Sequence, residues 1–295
     1  MFHGAWTALL TPFKGDTVDM TVFERFVEFQ IASGISGLVA NGTTAEVPTL
    51  SAKEQEELLA TTLRIAKGRV PVMAGTGSND TAHVIEITRK AEKMGASAAL
   101  IATPYYNKPT QEGLYQHYKA VHEATGLPLV IYNIPGRSVV DMSVETMKRL
   151  AELPRIVGVK DATADLVRPL RTRLEIGAEF VQLSGEDATL GAFLAQGGHG
   201  VISVTSNIAP RQVSEMVASW QAGNLSRFAE LRDALLPLHL ALFCETSPAP
   251  AKYAASLLGF GSDYVRLPLV PASAVARAKV EAAMRGLGLL SQAAA

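Results

Sequence analysis

Eight short apolar segments alternate with amphipathic helical segments up to about residue 203 of the chain. Each apolar segment is about four to six residues long and bounded by turn residues, as is typical of buried strands. Successive segments lie roughly 30 residues apart, which is the length of one parallel β/α unit. The predicted strands are residues 5–10, 37–40, 70–74, 98–102, 129–132, 156–160, 180–184 and 200–203.

The helical segments between these strands carry apolar stripes and recognisable start signals. Thr21 with Glu24 and Ser51 with Glu54 have the spacing of capping boxes, which predicts Thr21 and Ser51 as helix N-caps. Gly34 is expected to end the first helix. Further helices are predicted near residues 52–67, 81–94, 111–124, 144–152 and 188–196.

Eight alternating units predict an α/β fold in which the strands close into a (β/α)8 TIM barrel. An open doubly wound sheet is the structural alternative, which the first unit disfavours because it lacks a phosphate-binding fingerprint. After about residue 208 no strand pattern returns, and helices are predicted near residues 212–221, 225–243, 249–258 and 272–284. We therefore predict a catalytic barrel over residues 1–224 and a C-terminal α-helical extension over residues 225–295.

The composition of the 295-residue chain indicates a globular protein with a sizeable core, since 48% of its residues are hydrophobic and 19% are charged. With 27 basic and 28 acidic residues the formal net charge is −1. Without a basic run, we expect neither nucleic acid nor an anionic membrane surface as a partner. We also find no apolar run near the ~20 residues of a membrane span, and no signal-peptide pattern.

The cysteine and histidine content disfavours disulfide and metal chemistry. Cys244 is the single cysteine, so no internal disulfide can form, and a reducing cytoplasm is the expected location. It lies in the apolar run 240–244, which predicts a buried, inert thiol. The six histidines show no metal-ligand spacing, and the glycine-rich segment 75–80 lacks both the third glycine of a dinucleotide loop and the lysine of a P-loop.

Polar residues follow several of the predicted strands, at the carboxyl ends where the active site of such a barrel lies. These segments are residues 41–46, 103–109, 132–137, 160, 184–187 and 203. Individually, each has an ordinary structural explanation, such as a capped turn, packed aromatic rings or a solvated arginine. Together they would place an amine, phenols, hydroxyls and a guanidinium at one mouth of the barrel.

Lys160, at the end of the sixth predicted strand, is the most informative of these residues. A lysine there is costly unless it is paired or useful, and this stretch alone favours a side chain that extends to water. The sharper hypothesis is a desolvated amine that forms a Schiff base. Its surroundings favour that hypothesis, because Tyr132 lies one strand away and could move protons. The hydroxyls and main-chain amides of Thr43 and Thr44 could hold a small carboxylate, and Arg137 has the fork geometry that carboxylates prefer.

Five motifs follow one another in an order that indicates a known family. They are residues 42–46 (GTTAE), 103–109 (TPYYNKP), 132–137 (YNIPGR), 159–163 (VKDAT) and 197–204 (GGHGVISV). With these motifs, nearly the whole chain resembles the dihydrodipicolinate synthase and N-acetylneuraminate lyase superfamily of class I pyruvate-dependent aldolases. The Thr-Thr pair, the paired tyrosines and Arg137 look like the synthase branch. Ala45 departs from the family pattern, which usually has glycine, and this bears on the conformation of its loop.

The resemblance implies condensation of pyruvate with L-aspartate 4-semialdehyde to 4-hydroxy-tetrahydrodipicolinate, toward diaminopimelate and lysine, without metal or organic cofactor. Lys160 would form an imine with pyruvate, and Tyr132 would carry protons. Thr44 and Tyr106 would complete a hydroxyl relay, and Thr43 and Thr44 would bind the pyruvate carboxylate.

The same resemblance assigns the remaining site residues and an assembly. Arg137 would bind the semialdehyde carboxylate, and Gly185 and Ile202 would contribute backbone groups near the lysine. Tyr106 would reach in from a neighbouring subunit, so a dimer, usually paired into a homotetramer, is the expected state.

Three alternatives stay open at this point. One is a sibling aldolase or lyase that acts on a sugar acid, against which Arg137 argues because a polyhydroxy acceptor needs a more neutral pocket. Another is a dehydratase of the same superfamily. The third is a non-catalytic binding member, against which the complete set of lysine, tyrosines and threonine argues.

We predict weak or absent feedback inhibition by L-lysine. In sensitive members of the family, an acid and two histidines line the lysine cleft, but here His83 replaces the acid and Ala52 and Gln55 replace the histidines. An ammonium without a carboxylate partner is costly to desolvate, although Glu54 or Glu56 could supply one. A titration of initial rates with lysine at saturating pyruvate tests this, and half-inhibition at submillimolar lysine would contradict it.

Overall fold

A computed structural model describes residues 2–291, while residues 1 and 292–295, at the end of the predicted extension, lie outside the described residues. Its strands are β1 (Gly4–Ala8), β2 (Phe13–Lys14), β3 (Thr17–Val18), β4 (Gly37–Ala40), β5 (Val72–Gly75), β6 (Ala98–Ala102), β7 (Leu129–Asn133), β8 (Ile156–Asp161), β9 (Val181–Ser184) and β10 (Gly200–Ser203). Its α-helices are α1 (Met20–Ala32), α2 (Ala52–Ala66), α3 (Thr81–Met94), α4 (Gln111–Ala124), α5 (Pro135–Ser138), α6 (Val144–Ala151), α7 (Arg168–Ile176), α8 (Leu190–Ala195), α9 (Pro210–Gln221), α10 (Leu225–Leu242), α11 (Ala249–Leu257) and α12 (Ala274–Gly286). Short 3₁₀ turns occupy Thr43–Ala45, Val47–Thr49 and Thr205–Asn207.

The parallel strands form a closed barrel in the order β1-β10-β9-β8-β7-β6-β5-β4. Helices follow most of these strands, and the helices α9 to α12 end the described chain. The predicted (β/α)8 TIM barrel with a C-terminal helical part is thereby confirmed. The division of the chain at residue 224 stays a prediction.

The described residues divide into two compact units. We call residues 2–3 and 71–202 the Lys160 unit, and residues 4–70 and 203–291 the Glu46 unit. The site residues predicted from the sequence fall into both. The Lys160 unit holds Tyr106, Tyr132, Arg137, Lys160, Gly185 and Ile202, and the Glu46 unit holds Thr43 and Thr44.

In the Lys160 unit, parallel strand pairing fixes which side chains are neighbours. The residues of β6, β7 and β8 are almost all buried, because strands of such a barrel are covered on both faces. The register of β7 and β8 places Tyr132 beside Lys160 and Asn133 beside Asp161. The register of β8 and β9 places Leu183 on the other side of Lys160. The lysine is therefore set between a phenol and an apolar side chain.

In the Glu46 unit, a large aromatic side chain determines how β1 and β4 pack. Trp6 is fully buried and lies beside Gly37 in the parallel register. Its ring occupies the space that a Cβ at position 37 would need, so glycine is required there. The amide of Asn207 donates to the Ala8 carbonyl at 2.9 Å, which binds the turn after β10 to β1.

One of the two predicted helix caps is wrong. Helix α1 begins at Met20, and its N-cap is Asp19, whose carboxylate accepts a hydrogen bond from the Val22 amide. Aspartate caps a helix more strongly than threonine, so Thr21 lies inside the helix instead. The capping box of Ser51 and Glu54 is confirmed.

Some elements of the structure are not predicted from the sequence, and the predicted burial of Cys244 is wrong. The hairpin of β2 and β3 has strands of two residues each, too short for a periodic signal, and α7 has a charge-rich sequence without a clear apolar stripe. Cys244 is exposed, not buried as predicted, because it follows the end of α10 and the apolar run there continues on the solvent-facing side. Leu240 and Phe243 of the same run are likewise exposed.

Candidate active site

The Lys160 amine is buried at the carboxyl end of β8. The residue is 6% exposed, so its side chain does not extend to solvent as an ordinary strand-end lysine would. Its Nζ lies 4.1 Å from the centroid of the Tyr132 ring. Tyr132 is itself 7% exposed. An amine and a phenol therefore face each other in a desolvated position.

Gly185 packs directly against the end of the strand that carries Lys160. Its amide donates a hydrogen bond of 2.6 Å to the Asp161 carbonyl. A Cβ at position 185 would come within 2.7 Å of the Ala162 Cβ and 3.1 Å of that carbonyl oxygen. Only glycine permits this approach without moving the neighbouring strand.

Glu186, to which the sequence analysis assigned no role, is an acidic residue whose carboxyl interacts with Lys160. Burial and the neighbouring Asp187 raise the pKa of the Glu186 carboxyl, while Lys160 and Arg137 oppose that rise. The Lys160 and Arg137 side chains are therefore within electrostatic range of this carboxyl. Its backbone is held by a turn, because the Glu186 amide donates to Ser184 Oγ and that hydroxyl donates to the Glu186 carbonyl, each at 3.0 Å.

A polar network, buried except at Asp141, lies next to the lysine and the tyrosine. The residues that follow them, Asp161 and Asn133, are register partners. Asn133 Nδ2 donates to Asp141 Oδ1 at 2.7 Å, and Arg168 lies 3.1 Å from Asp141 and 3.5 Å from Asp161. Burial raises the pKa of Asp161, while hydrogen bonds from Thr163 oppose that rise. The network joins the ends of β7 and β8 through Asp141, between α5 and α6, and Arg168, the first residue of α7.

Asp161 and Thr163 form a turn directly after β8 and do not cap a helix. Asp161 Oδ1 accepts hydrogen bonds from the Thr163 amide at 2.9 Å and the Thr163 hydroxyl at 2.7 Å. Helix α7 starts only at Arg168, and its N-cap Val167 makes no side-chain capping bond. The aspartate therefore stabilises the turn after β8 and leaves the helix start uncapped.

Tyr106 and Arg137 both occupy exposed positions of the Lys160 unit. Tyr106 is 89% exposed and has the unusual positive φ of 70°. The following residue, Asn107, donates a hydrogen bond to the Asn79 carbonyl at 2.9 Å. Arg137 lies on the short helix α5, directly after β7. Ile202 is buried in β10.

Thr43 and Thr44 form a 3₁₀ turn of the Glu46 unit. Thr44 is buried and Thr43 half-buried. The turn starts after Gly42 and ends at Glu46, and Thr11 Oγ1 donates to the Ala45 carbonyl at 2.8 Å. Ala45 is not among the residues with positive φ, so alanine fits here without strain where the family usually has glycine.

Glu54 cannot readily bind a lysine ammonium, because it is already paired. Its carboxylate accepts hydrogen bonds from Arg266 at 2.6 and 3.0 Å, and this guanidinium lowers the pKa of Glu54 to about 2. The sequence analysis left open that Glu54 supplies the carboxylate partner for the ammonium of bound L-lysine. The existing pairing of Glu54 with Arg266 disfavours this.

Within residues 2–291, no group of three or more histidine, cysteine or acidic side chains could hold a metal ion. In the same part of the chain, no helix is both long and apolar enough to cross a membrane.

A parallel barrel with a buried lysine amine beside a tyrosine fits the superfamily of barrel proteins that the five sequence motifs indicate. The Dihydrodipicolinate synthetase family matches residues 1–287, and the chain belongs to this family.

Relatives and solved structures cover nearly the whole chain. The 4-hydroxy-tetrahydrodipicolinate synthase of Rhodospirillum centenum is 60% identical over 291 residues, which are 99% of this chain and 100% of that protein. The solved dihydrodipicolinate synthase of Thermotoga maritima has a TM-score of 0.96 at 44% identity, covering 98% of this chain and 100% of that one. The chloride-inhibited synthase of Acinetobacter baumannii, solved in complex with pyruvate, has a TM-score of 0.96 at 43% identity and the same coverage.

We predict that Gly185→Ala lowers turnover by about 10²-fold, because the added methyl group must displace the strand end that carries Lys160. Steady-state kinetics measure this effect. Gly286→Ala is the matched control, since no atom lies within 4 Å of the Cβ that it adds. Equal turnover in the two variants would show that the close contact at Gly185 does not matter for the site.

Proposed function

We propose that this chain condenses pyruvate with L-aspartate 4-semialdehyde to give 4-hydroxy-tetrahydrodipicolinate, a step in the formation of diaminopimelate and lysine. The chain is thus a Schiff-base-forming lyase. The observation that carries this proposal is the buried amine of Lys160, 4.1 Å from the ring of Tyr132. Family membership over residues 1–287 supports the choice of substrates.

The chemistry starts at the Lys160 amine, which attacks C2 of pyruvate and forms an imine as water leaves. The imine withdraws electrons, so a proton leaves the methyl group and an enamine forms. The enamine carbon then attacks the aldehyde carbon, and the aldehyde oxygen takes up a proton. The amino group of the adduct closes the ring at C2 and releases Lys160. These steps need no metal and no organic cofactor.

Tyr132 is the group we assign to proton transfer at the imine. Its position beside Lys160 in the β7–β8 register supports this role, since an acid–base group must lie within reach of the reacting atoms. Thr44 and Tyr106 are proposed to extend a hydroxyl relay to solvent. The position of Gly185 against β8 supports its assignment, with Ile202, as a source of backbone groups near the lysine.

The two substrate carboxylates require two anion-binding groups. We assign the pyruvate carboxylate to the hydroxyls and amides of Thr43 and Thr44, which share one short turn. We assign the semialdehyde carboxylate to Arg137, whose guanidinium can bind it in two-point fashion. A cationic acceptor site favours the semialdehyde over the polyhydroxy chain of a sugar acid.

We further infer a homotetramer built from dimers, in the cytoplasm. The 89% exposure of Tyr106 supports a role across a subunit boundary, because a large aromatic side chain gains little by facing water. Val167, Leu170 and Leu174, at the start of α7 and within it, are further apolar side chains that face water in the isolated chain. A single cysteine agrees with a reducing compartment.

Borohydride treatment with pyruvate is expected to attach a reduced pyruvate to Lys160 and to abolish activity. Peptide mass spectrometry identifies the modified residue. Lys160→Arg should remain unlabelled, whereas Lys148→Ala, which removes an exposed lysine of α6, should be labelled like the wild type. Labelling at another lysine, or none, would refute the imine mechanism.

Arg137→Ala is expected to raise the apparent KM for the semialdehyde by about tenfold or more, while the KM for pyruvate stays within about threefold. The physical reason is the loss of a charge-assisted bond to one substrate only. Initial rates with each substrate varied in turn measure both constants, and the exposed Arg211→Ala serves as the control. An equal rise in both constants would make Arg137 a structural residue.

A further inference from the structure

The turn that carries Thr43 and Thr44 ends in a residue with a strained backbone. Glu46 has φ 62° and ψ 34°, a left-handed conformation that few residues other than glycine adopt. Its amide donates to the Thr43 carbonyl at 3.1 Å and so closes the turn, and its own carbonyl accepts from the Thr49 amide at 3.0 Å. Glu46 is 3% exposed. Some other interaction must hold a buried acidic residue in this conformation.

The carboxylate of Glu46 has a separate partner for each oxygen. Lys252 Nζ of α11 donates to Oε1 at 2.6 Å, and the Arg266 amide donates to Oε2 at 3.0 Å. The side chains of Lys252 and Glu46 are 2% and 1% exposed. Burial lowers the pKa of Lys252, and the Glu46 carboxylate opposes that shift. The Lys252 ammonium also lies 4.0 Å from the centroid of the Phe13 ring.

The second partner of Glu46 is itself tightly bound. The Arg266 guanidinium donates to the Thr49 carbonyl at 2.7 Å and to the Glu54 carboxylate, and it pairs with Asp16 at 3.0 Å. The group that holds the second oxygen of Glu46 is thus itself fixed by three further contacts. Both oxygens of the buried Glu46 carboxylate are therefore occupied.

We propose that Glu46 and Lys252 are positioning residues, whose buried ion pair holds the Thr43–Thr44 turn in the conformation that binds a carboxylate. This inference rests on the proposed function, because it takes this turn to be the pyruvate site. A buried ion pair adds little stability compared with a well-packed neutral pair of similar volume. The bonds of Glu46 instead select one backbone conformation of the turn.

If the ion pair no longer holds the Thr43–Thr44 turn in one conformation, pyruvate binding should weaken more than semialdehyde binding. If the turn visits other conformations, the apparent affinity falls in proportion to the fraction that stays competent. Lys252→Met leaves a buried carboxylate unpaired, whereas the double variant Glu46→Gln/Lys252→Met removes both charges and restores a neutral core. We expect the pyruvate concentration for half-maximal borohydride trapping at Lys160 to rise about tenfold or more in both. The KM for the semialdehyde should stay within about threefold of the wild-type value.

A purely structural role would give a different pattern. If the ion pair only stabilised the fold, the melting temperature of the double variant should return to the wild-type value. The pyruvate concentration for half-maximal trapping, here called the trapping midpoint, should return to the wild-type value with it. Asp16→Asn is the matched control, because it removes an ion pair of the same Arg266 at a residue whose side chain is 79% exposed, and it should change neither value. If Lys252→Met does not fold, Glu46→Gln alone decides by the same criterion.

The outcomes separate this inference from the proposed function. Trapping in the wild type with a raised midpoint in the double variant supports the positioning role. Trapping in the wild type with a midpoint within about threefold in the double variant overturns the positioning role alone. Absence of trapping in the wild type refutes the proposed function and this inference with it.

Discussion

The burial of a lysine amine at the end of a barrel strand is the constraint on which the site depends. An ammonium ion is costly to remove from water, so most lysines keep their charged end exposed. Lys160 instead lies between Tyr132 and Leu183 in the strand register and is buried there. Gly185 packs closely against the same strand end, at Asp161 and Ala162. The buried amine is therefore positioned by backbone pairing, which is the least adjustable part of the fold.

The two groups of site residues are held by different physical means. Lys160 and Tyr132 depend on parallel hydrogen bonding between strands, supported by the network of Asn133, Asp141 and Arg168 behind them. The turn of Thr43 and Thr44 has no strand to hold it and ends in a left-handed residue. A short irregular segment of this kind needs side-chain contacts to select its conformation. The ion pair of Glu46 and Lys252 supplies such a contact.

Much of this fold could be predicted from the sequence because its elements are periodic. Strands β4, β6 and β10 and helices α3 and α4 have the predicted bounds, since each is an apolar run or an apolar stripe between clear turn residues. The neighbourhood of Lys160 and Tyr132 followed from the order of parallel strands. Asp19 was missed as a cap because Thr21 offered a competing pattern. The contact of Glu46 with Lys252 leaves no local pattern, because it depends on how distant helices pack.

That contact also sets an order of events in the making of the protein. Glu46 and Lys252 are 206 residues apart in the chain. At the usual 5–20 residues per second, a ribosome needs about 10–40 s to add the lysine after it has added the glutamate. During that interval the carboxylate has no ammonium to pair with and is better solvated by water than buried. The turn can therefore reach its final buried state only after almost the entire chain has been synthesised.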